Sequence, residues 1–160
     1  MQQTVRTQTP GTSFFDEYSS GALDRIFQIL RGEIAAVEAY EHVLQRFSQE
    51  PGVTRLEEIK RHHEAAVTFW NHMLADRGIA PKRGSGPWGQ VVKTFVDTAQ
   101  LFGDTASLRA LLAGESHGLS EYHELLMDST VPPVLKDKVR ETFIPLQEQH
   151  IELIEAWKGV

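Results

Sequence analysis

Four residues in this sequence, Glu33, His63, Glu115 and His150, have the types and spacing to act together. Each interrupts a series of apolar residues recurring three and four apart, which is the pattern of one helix face. Glu33 breaks the series Leu23, Ile26, Leu30, Val37, Tyr40, Leu44, and His63 breaks Leu56, Ile59, Ala66, Trp70, Met73. Glu115 breaks Leu108, Leu112, Leu119, Tyr122, Leu126, and His150 breaks Val139, Phe143, Leu146, Leu153, Trp157. Four helices would thus each aim one titratable group at a shared interior. An ionised carboxylate buried without a partner costs several kcal/mol, so two of them demand compensation. A divalent metal ion supplies it, because carboxylate oxygen and neutral imidazole nitrogen suit iron, manganese or zinc.

The same four residues admit a second reading. They could pair with one another, or with Lys60, in a metal-free network that fixes helix register. Tyr40 and Tyr122 lie two turns beyond each Glu on the same face and are candidate outer partners of the site. Lys60 and Gln147, each three residues before a stripe histidine, are further candidates. Gly32 and Gly114, immediately before the two Glu, would permit close backbone approach. Trp70 and Trp157 read as packing residues. His42, His72, His117 and His123 fall off the stripes and are expected at the surface, and the run from Glu57 to Glu64 reads mostly as a solvated helix face.

The elements that must position these groups are all helical. Helices are predicted over about 21–47, 54–77, 90–102, 105–127 and 133–158, following a flexible tail over 1–20 that is rich in Gln and Thr. Thr54 with Glu57 suggests a capping box for the second helix, and Gly78 its end. Asp104 or Thr105 is the expected cap of the fourth, and Pro132 with Pro133 opens the last. Pro145 sits inside that helix, removes a hydrogen bond and should bend it. The longest turn-rich stretch runs from Gly78 to Gly89, where Lys82 and Arg83 are too few to mark an anion site. No alternating stretch bounded by turns makes a convincing strand. The first and fourth helices also repeat each other: Gly32-Glu33 followed by Tyr40 and Leu44 matches Gly114-Glu115 followed by Tyr122 and Leu126 at one constant offset. His63 with Trp70 and His150 with Trp157 repeat more faintly. A duplicated helix pair is a natural route to a four-helix bundle.

Composition narrows the function classes. The chain has 160 residues and no cysteine, which excludes disulfides, thiol catalysis and iron–sulfur clusters and leaves any metal to the seven His and 22 Asp plus Glu. A net charge of −6 leaves no basic face for nucleic acid. No apolar run is long enough to span a membrane, and the N-terminal residues lack the apolar segment of a secretory signal, so a cytoplasmic protein is expected. Long amphipathic helices often self-associate, and a homodimer is the expected assembly. Residues Gly114 to Gly118 fit the G-x-S-x-G hydrolase pattern, but that motif needs a strand-to-helix turn and here falls inside a helical repeat.

The Glu33, His63, Glu115 and His150 set resembles the ferritin-like superfamily, whose relatives include rubrerythrins and bacterioferritins. The family pattern is a Glu on the first helix of each pair and Glu-x-x-His on the second. Glu33 and Glu115 match the first element, and His63 and His150 match the terminal His. The extra helix and the Gly-Glu-x6-Tyr elements look most like an uncharacterised bacterial ferritin-like branch. The resemblance covers Ala22 to Lys158 and implies an antiparallel four-helix bundle with one extra short helix in the crossover, holding metal in its core and handling metal or oxidative stress. In place of the two motif carboxylates this chain has Lys60 and Gln147. Glu58 and His62 could substitute only with a rotation of their helix. The departure favours a mononuclear or weak dinuclear site over a di-iron oxidase.

Overall fold

The first long helix, α1 (Ser20–Phe47), begins where the Ser19 hydroxyl accepts a hydrogen bond from the Ala22 amide at 3.3 Å. The computed structural model describes residues 19–84, 86 and 103–157. The tail predicted over 1–20 falls outside these residues except for Ser19 and Ser20, and the short helix predicted over 90–102 lies wholly outside them.

Glycine, rather than a side-chain cap, starts the next two helices. Helix α2 (Val53–Ala75) follows Gly52 at φ 87°, with no side-chain cap bond, so the capping box predicted at Thr54 and Glu57 does not form. Helix α3 (Asp104–Met127) follows Gly103 at φ 102°, and neither Asp104 nor Thr105 is the cap. A positive φ turns the chain sharply into the helix at both places, a geometry that glycine adopts at little cost. The end of α2 is as predicted. Gly78 has φ 71°, its amide bonds to the Ala75 carbonyl, and the Ile79 amide reaches back to Leu74, the closure of a left-handed helix end.

The last helix is a single run in three parts: α4 (Pro133–Lys138), a π-helical turn (Val139–Phe143) and α5 (Ile144–Ala156). Pro145 explains the middle part. Its ring crowds the carbonyl four residues earlier, at Glu141, and it offers no N–H. The chain widens into i→i−5 bonding just before it, with the Ile144 amide donating to the Val139 carbonyl.

Contacts between named residues fix the helix directions. Arg25 pairs with Glu124 at 2.9 Å near one end of α1, and Arg46 pairs with Asp104 at 2.6 Å near the other, so α1 and α3 are antiparallel. Lys60 on α2 meets Glu41 on α1, Phe143 stacks on Tyr122 of α3, and His62 of α2 stacks on His150 of α5. The four long helices therefore close a ring in which every neighbouring pair is antiparallel. It follows that α2 and α3 run parallel across the diagonal, and the chain joining them returns from one end of the ring to the other. The described residues include no strand, and no helix among them is long and apolar enough to cross a membrane.

Two apolar clusters fill the ring. One holds Ile26, Leu30, Trp70, Leu125, Val139 and Phe143; the other holds Val43, Phe47, Leu56, Ile59, Leu108 and Ile154. Each helix passes from one cluster to the other, and at the crossing it carries Glu33, His63, Glu115, or Gln147 and His150, all buried.

The helical glycines differ in purpose. A Cβ on Gly118 would lie 3.1 Å from the buried Gln147 amide, whereas one on Gly114 would meet nothing within 4 Å. Gly114→Ala is expected to stabilise the protein by about 1 kcal/mol, the helix-propensity difference between the two residues. Gly118→Ala should gain less or lose stability, because it presses on Gln147. Urea unfolding of both variants measures the contrast.

Candidate metal centre

His63 lies at the middle of the polar layer. Its Nδ1 is 2.7 Å from Glu33 Oε2 and its Nε2 is 3.1 Å from Glu115 Oε1. His150 approaches the other oxygen of Glu115, with Nδ1 at 3.3 Å. The Gln147 side-chain amide donates to the Glu115 carboxylate and also to the Glu115 backbone carbonyl at 3.0 Å.

Two tyrosines complete the layer. Tyr122 on α3 donates to Glu33 on α1, and Tyr40 on α1 donates to Glu115 on α3, both at 2.5 Å. The repeat seen in the sequence thus becomes a reciprocal exchange: each half's tyrosine holds the other half's glutamate. Trp70 Nε1–H donates to the Tyr122 hydroxyl at 3.4 Å, tying that tyrosine to α2. Every buried nitrogen and oxygen of these side chains has a partner.

Proton placement follows from the donors and acceptors. A carboxylate only accepts, so the two contacts of His63 require both its ring nitrogens to carry hydrogen. Burial opposes that charge, but the carboxylates of Glu115 and Glu33 outweigh it and hold the His63 pKa up at about 10. For Glu115, burial again opposes the ion, and His63 with His150 overcomes it, bringing the pKa down to about 2. Burial, followed by the adjacent carboxylate, pushes both Tyr40 and Tyr122 well above their ordinary range. They remain neutral donors.

The structure joins all four stripe residues in one network and arranges them unequally. His63, Glu115 and His150 each offer a ligand atom, and these atoms lie within 4.8 Å of one another. Glu33 instead holds the far nitrogen of His63. Gln147, Tyr40 and Tyr122 contact the acids, whereas Lys60 does not reach the layer. Its ammonium pairs with Glu64 at 2.8 Å and Glu41 at 3.1 Å on the outside of the helix pair, where its long stem carries the charge to solvent. Gly114 likewise departs from expectation, since no neighbouring group approaches its Cα face.

Two further groups adjoin the layer: His62, expected from the sequence to reach it only with a rotation of its helix, and Glu121, not singled out there. His62 Nδ1 lies 2.9 Å from His150 Nε2, which extends the network from the core toward the surface without any rotation of α2. Burial, then the neighbouring His150, lowers the His62 pKa. Glu121, one residue before Tyr122, is buried and accepts from Gln28 at 2.9 Å, with the exposed His117 at 3.3 Å. A carboxylate one turn beyond an off-stripe histidine was the available signal.

The donor set fits one metal ion. Two imidazoles and a carboxylate are a familiar set for zinc and for ferrous iron. Ligand atoms on a tetrahedron with bonds of about 2.1 Å stand about 3.4 Å apart, and one ligand atom from each of His63, Glu115 and His150 lies within 4.8 Å of the others. A di-iron carboxylate cage does not fit, because Lys60 faces outward and Gln147 brings an amide. Comparisons with protein-family models, curated proteins and solved structures found no match. The assignment of this centre therefore stands on the chain's own geometry.

Linkage gives a pH signature for the metal-free protein. The His63 pKa is raised above its unfolded value of 6.5, so its contribution is fully present below about pH 6.5 and is lost as pH rises through about 10. The groups facing it are Glu33 on α1, Glu115 on α3, the Tyr40 ring, and His150 on α5. In chelator-treated protein, the urea midpoint of wild type should exceed that of His63→Gln by a constant margin from pH 5.5 to 6.5. That margin should shrink steadily toward pH 10. Parallel alkaline limbs in the two proteins would show that His63 is not held as an imidazolium.

Proposed function

We propose that this chain is a ferritin-like four-helix bundle that holds one divalent transition-metal ion, iron, manganese or zinc, in its core. The observation that carries the reading is the convergence of His63, Glu115 and His150, from three different helices, on one buried point. The topology supports the ferritin-like part: a parallel diagonal pair joined by one long crossover is how such bundles are built. The Glu–Tyr repeat across α1 and α3 supports it further.

His63, Glu115 and His150 would hold the ion, which would take the place of the His63 Nε2 proton and release it to solvent. Bound there, the ion would act as a Lewis acid with positions left for water or a small ligand. The chain's own groups prepare the ligands. Glu33 on His63 Nδ1 fixes the ring so that Nε2 faces Glu115, the carboxylate–histidine arrangement that orients metal ligands. Tyr40 and Gln147 hold the Glu115 carboxylate, and His62 holds Nε2 of His150 so that Nδ1 faces inward. The expected role is metal handling rather than di-iron oxidation.

One observation favours a second reading. Both oxygens of Glu115 are fully engaged by Tyr40, His63, Gln147 and His150, so the layer is also complete as a metal-free polar network. Titration calorimetry of chelator-treated protein with Zn(II), Mn(II) and anaerobic Fe(II) separates the two. The proposal expects one ion per chain, binding abolished in His63→Ala and His150→Ala, and affinity 10- to 100-fold lower in Glu33→Gln. Lys60→Ala should bind as wild type does. If none of the three ions binds, the metal reading fails and the network reading stands.

A further inference from the structure

Between α1 and α3 lies a half-open cavity of about 290 Å³. Its walls are small residues, among them Ala36, Ala39, Ala110 and Gly114, and its floor is the polar layer of Glu33, Tyr40, Glu115 and Tyr122. The cavity adjoins the point between His63, Glu115 and His150: His63, Glu115 and Gln147 of α5 line it, whereas His150 does not.

The gap is held open by construction. Ion pairs clamp α1 to α3 near both ends, Arg25 with Glu124 and Arg46 with Asp104, and the two Tyr–Glu bonds span the middle. Gly114 adds a second, independent sign. It sits inside a helix, where glycine is unfavourable, yet no neighbour requires it, and it lies exposed at the cavity's rim with open space where a Cβ would be.

We propose that this cavity is a binding site for a small uncharged apolar molecule of about one ring. The volume lies at the lower limit of ligand pockets, which suits a monocyclic body rather than a larger one. The lining is apolar, and the floor's carboxylate oxygens already accept from Tyr40, Tyr122, His63 and Gln147. A neutral ring with at most one hydroxyl needs nothing more from it. An anion meets three carboxylates, Glu33, Glu115 and, at the edge, Glu121, against the single imidazolium of His63, and is turned away. The site shares His63 and Glu115 with the proposed metal cluster, but its test uses metal-free protein, so the two proposals fail separately.

Benzyl alcohol is a suitable probe and benzoate its anionic counterpart. Titrating chelator-treated, ¹⁵N-labelled full chain with benzyl alcohol should move the amide signals of Gly32, Gly114 and Gly118, which line the cavity, and leave Gly52 and Gly103 in place. Benzoate should bind at least tenfold more weakly. Gly114→Leu, whose side chain would extend into open space, should fold and lose the benzyl alcohol response; Ala36→Leu is the second filling variant. Absence of shifts with benzyl alcohol, equal binding of benzoate, or binding retained in both folded variants would overturn the proposal.

Discussion

A doubly protonated imidazole held between two buried carboxylates is the interaction on which the rest of this structure depends. Glu33 and Glu115 are on different helices, and neither can be ionised in an apolar interior without a positive partner. His63 provides it from a third helix, through one nitrogen to each acid. Three helices are thus tied at one height, and α5 joins through His150 and Gln147. The apolar clusters above and below supply the bulk of the burial but no register, since leucine and isoleucine pack acceptably at more than one offset. The polar layer supplies the register, because a slip of one turn would strand a charge.

The repeat gives this layer its form and also its inequality. In the α1–α3 half the two-fold relation is kept, each tyrosine reaching across to the opposite glutamate. In the α2–α5 half it is lost. His63 spans both acids, while His150 touches only Glu115 and turns its other nitrogen to His62. The residues three positions before the histidines account for the difference. Gln147 is neutral and enters the core to bond Glu115, whereas Lys60 turns its ammonium out to Glu41 and Glu64. Glu115 therefore gathers both histidines, and Glu33 is left as the partner that aims His63.

Much of this was legible from helical period alone. One polar residue in an otherwise apolar stripe has to point inward, and Glu33, His63, Glu115 and His150 all do. What the period could not give was reach. His62 lies 100° around the helix from His63, off the stripe, yet an imidazole at the stripe's flank is long enough to meet His150 across the α2–α5 seam. Lys60 shows the converse, a residue near the right face whose flexible stem leads away from it. Helix starts were misjudged for a related reason: Thr54 and Asp104 have capping side chains, but Gly52 and Gly103 can take the positive φ that the approach demands. The crossing of each tyrosine to the other half's glutamate depends on α1 and α3 packing antiparallel, which the repeat suggested and only the fold decides.

The gap beside the layer bears on how such a centre can work. A polar cluster sealed between two apolar cores is stable but has no route for exchange. Here two openings meet it from different sides. His62, partly exposed, leads from solvent to His150 along hydrogen bonds that can carry protons. The cavity between α1 and α3 reaches the acids and phenols through small residues without breaking a bond in the network. Filling that cavity would tighten the helix pair, and the alanines and Gly114 there forgo that packing. The sequence thus retains space where burial alone would favour larger side chains, and it does so next to the buried polar layer.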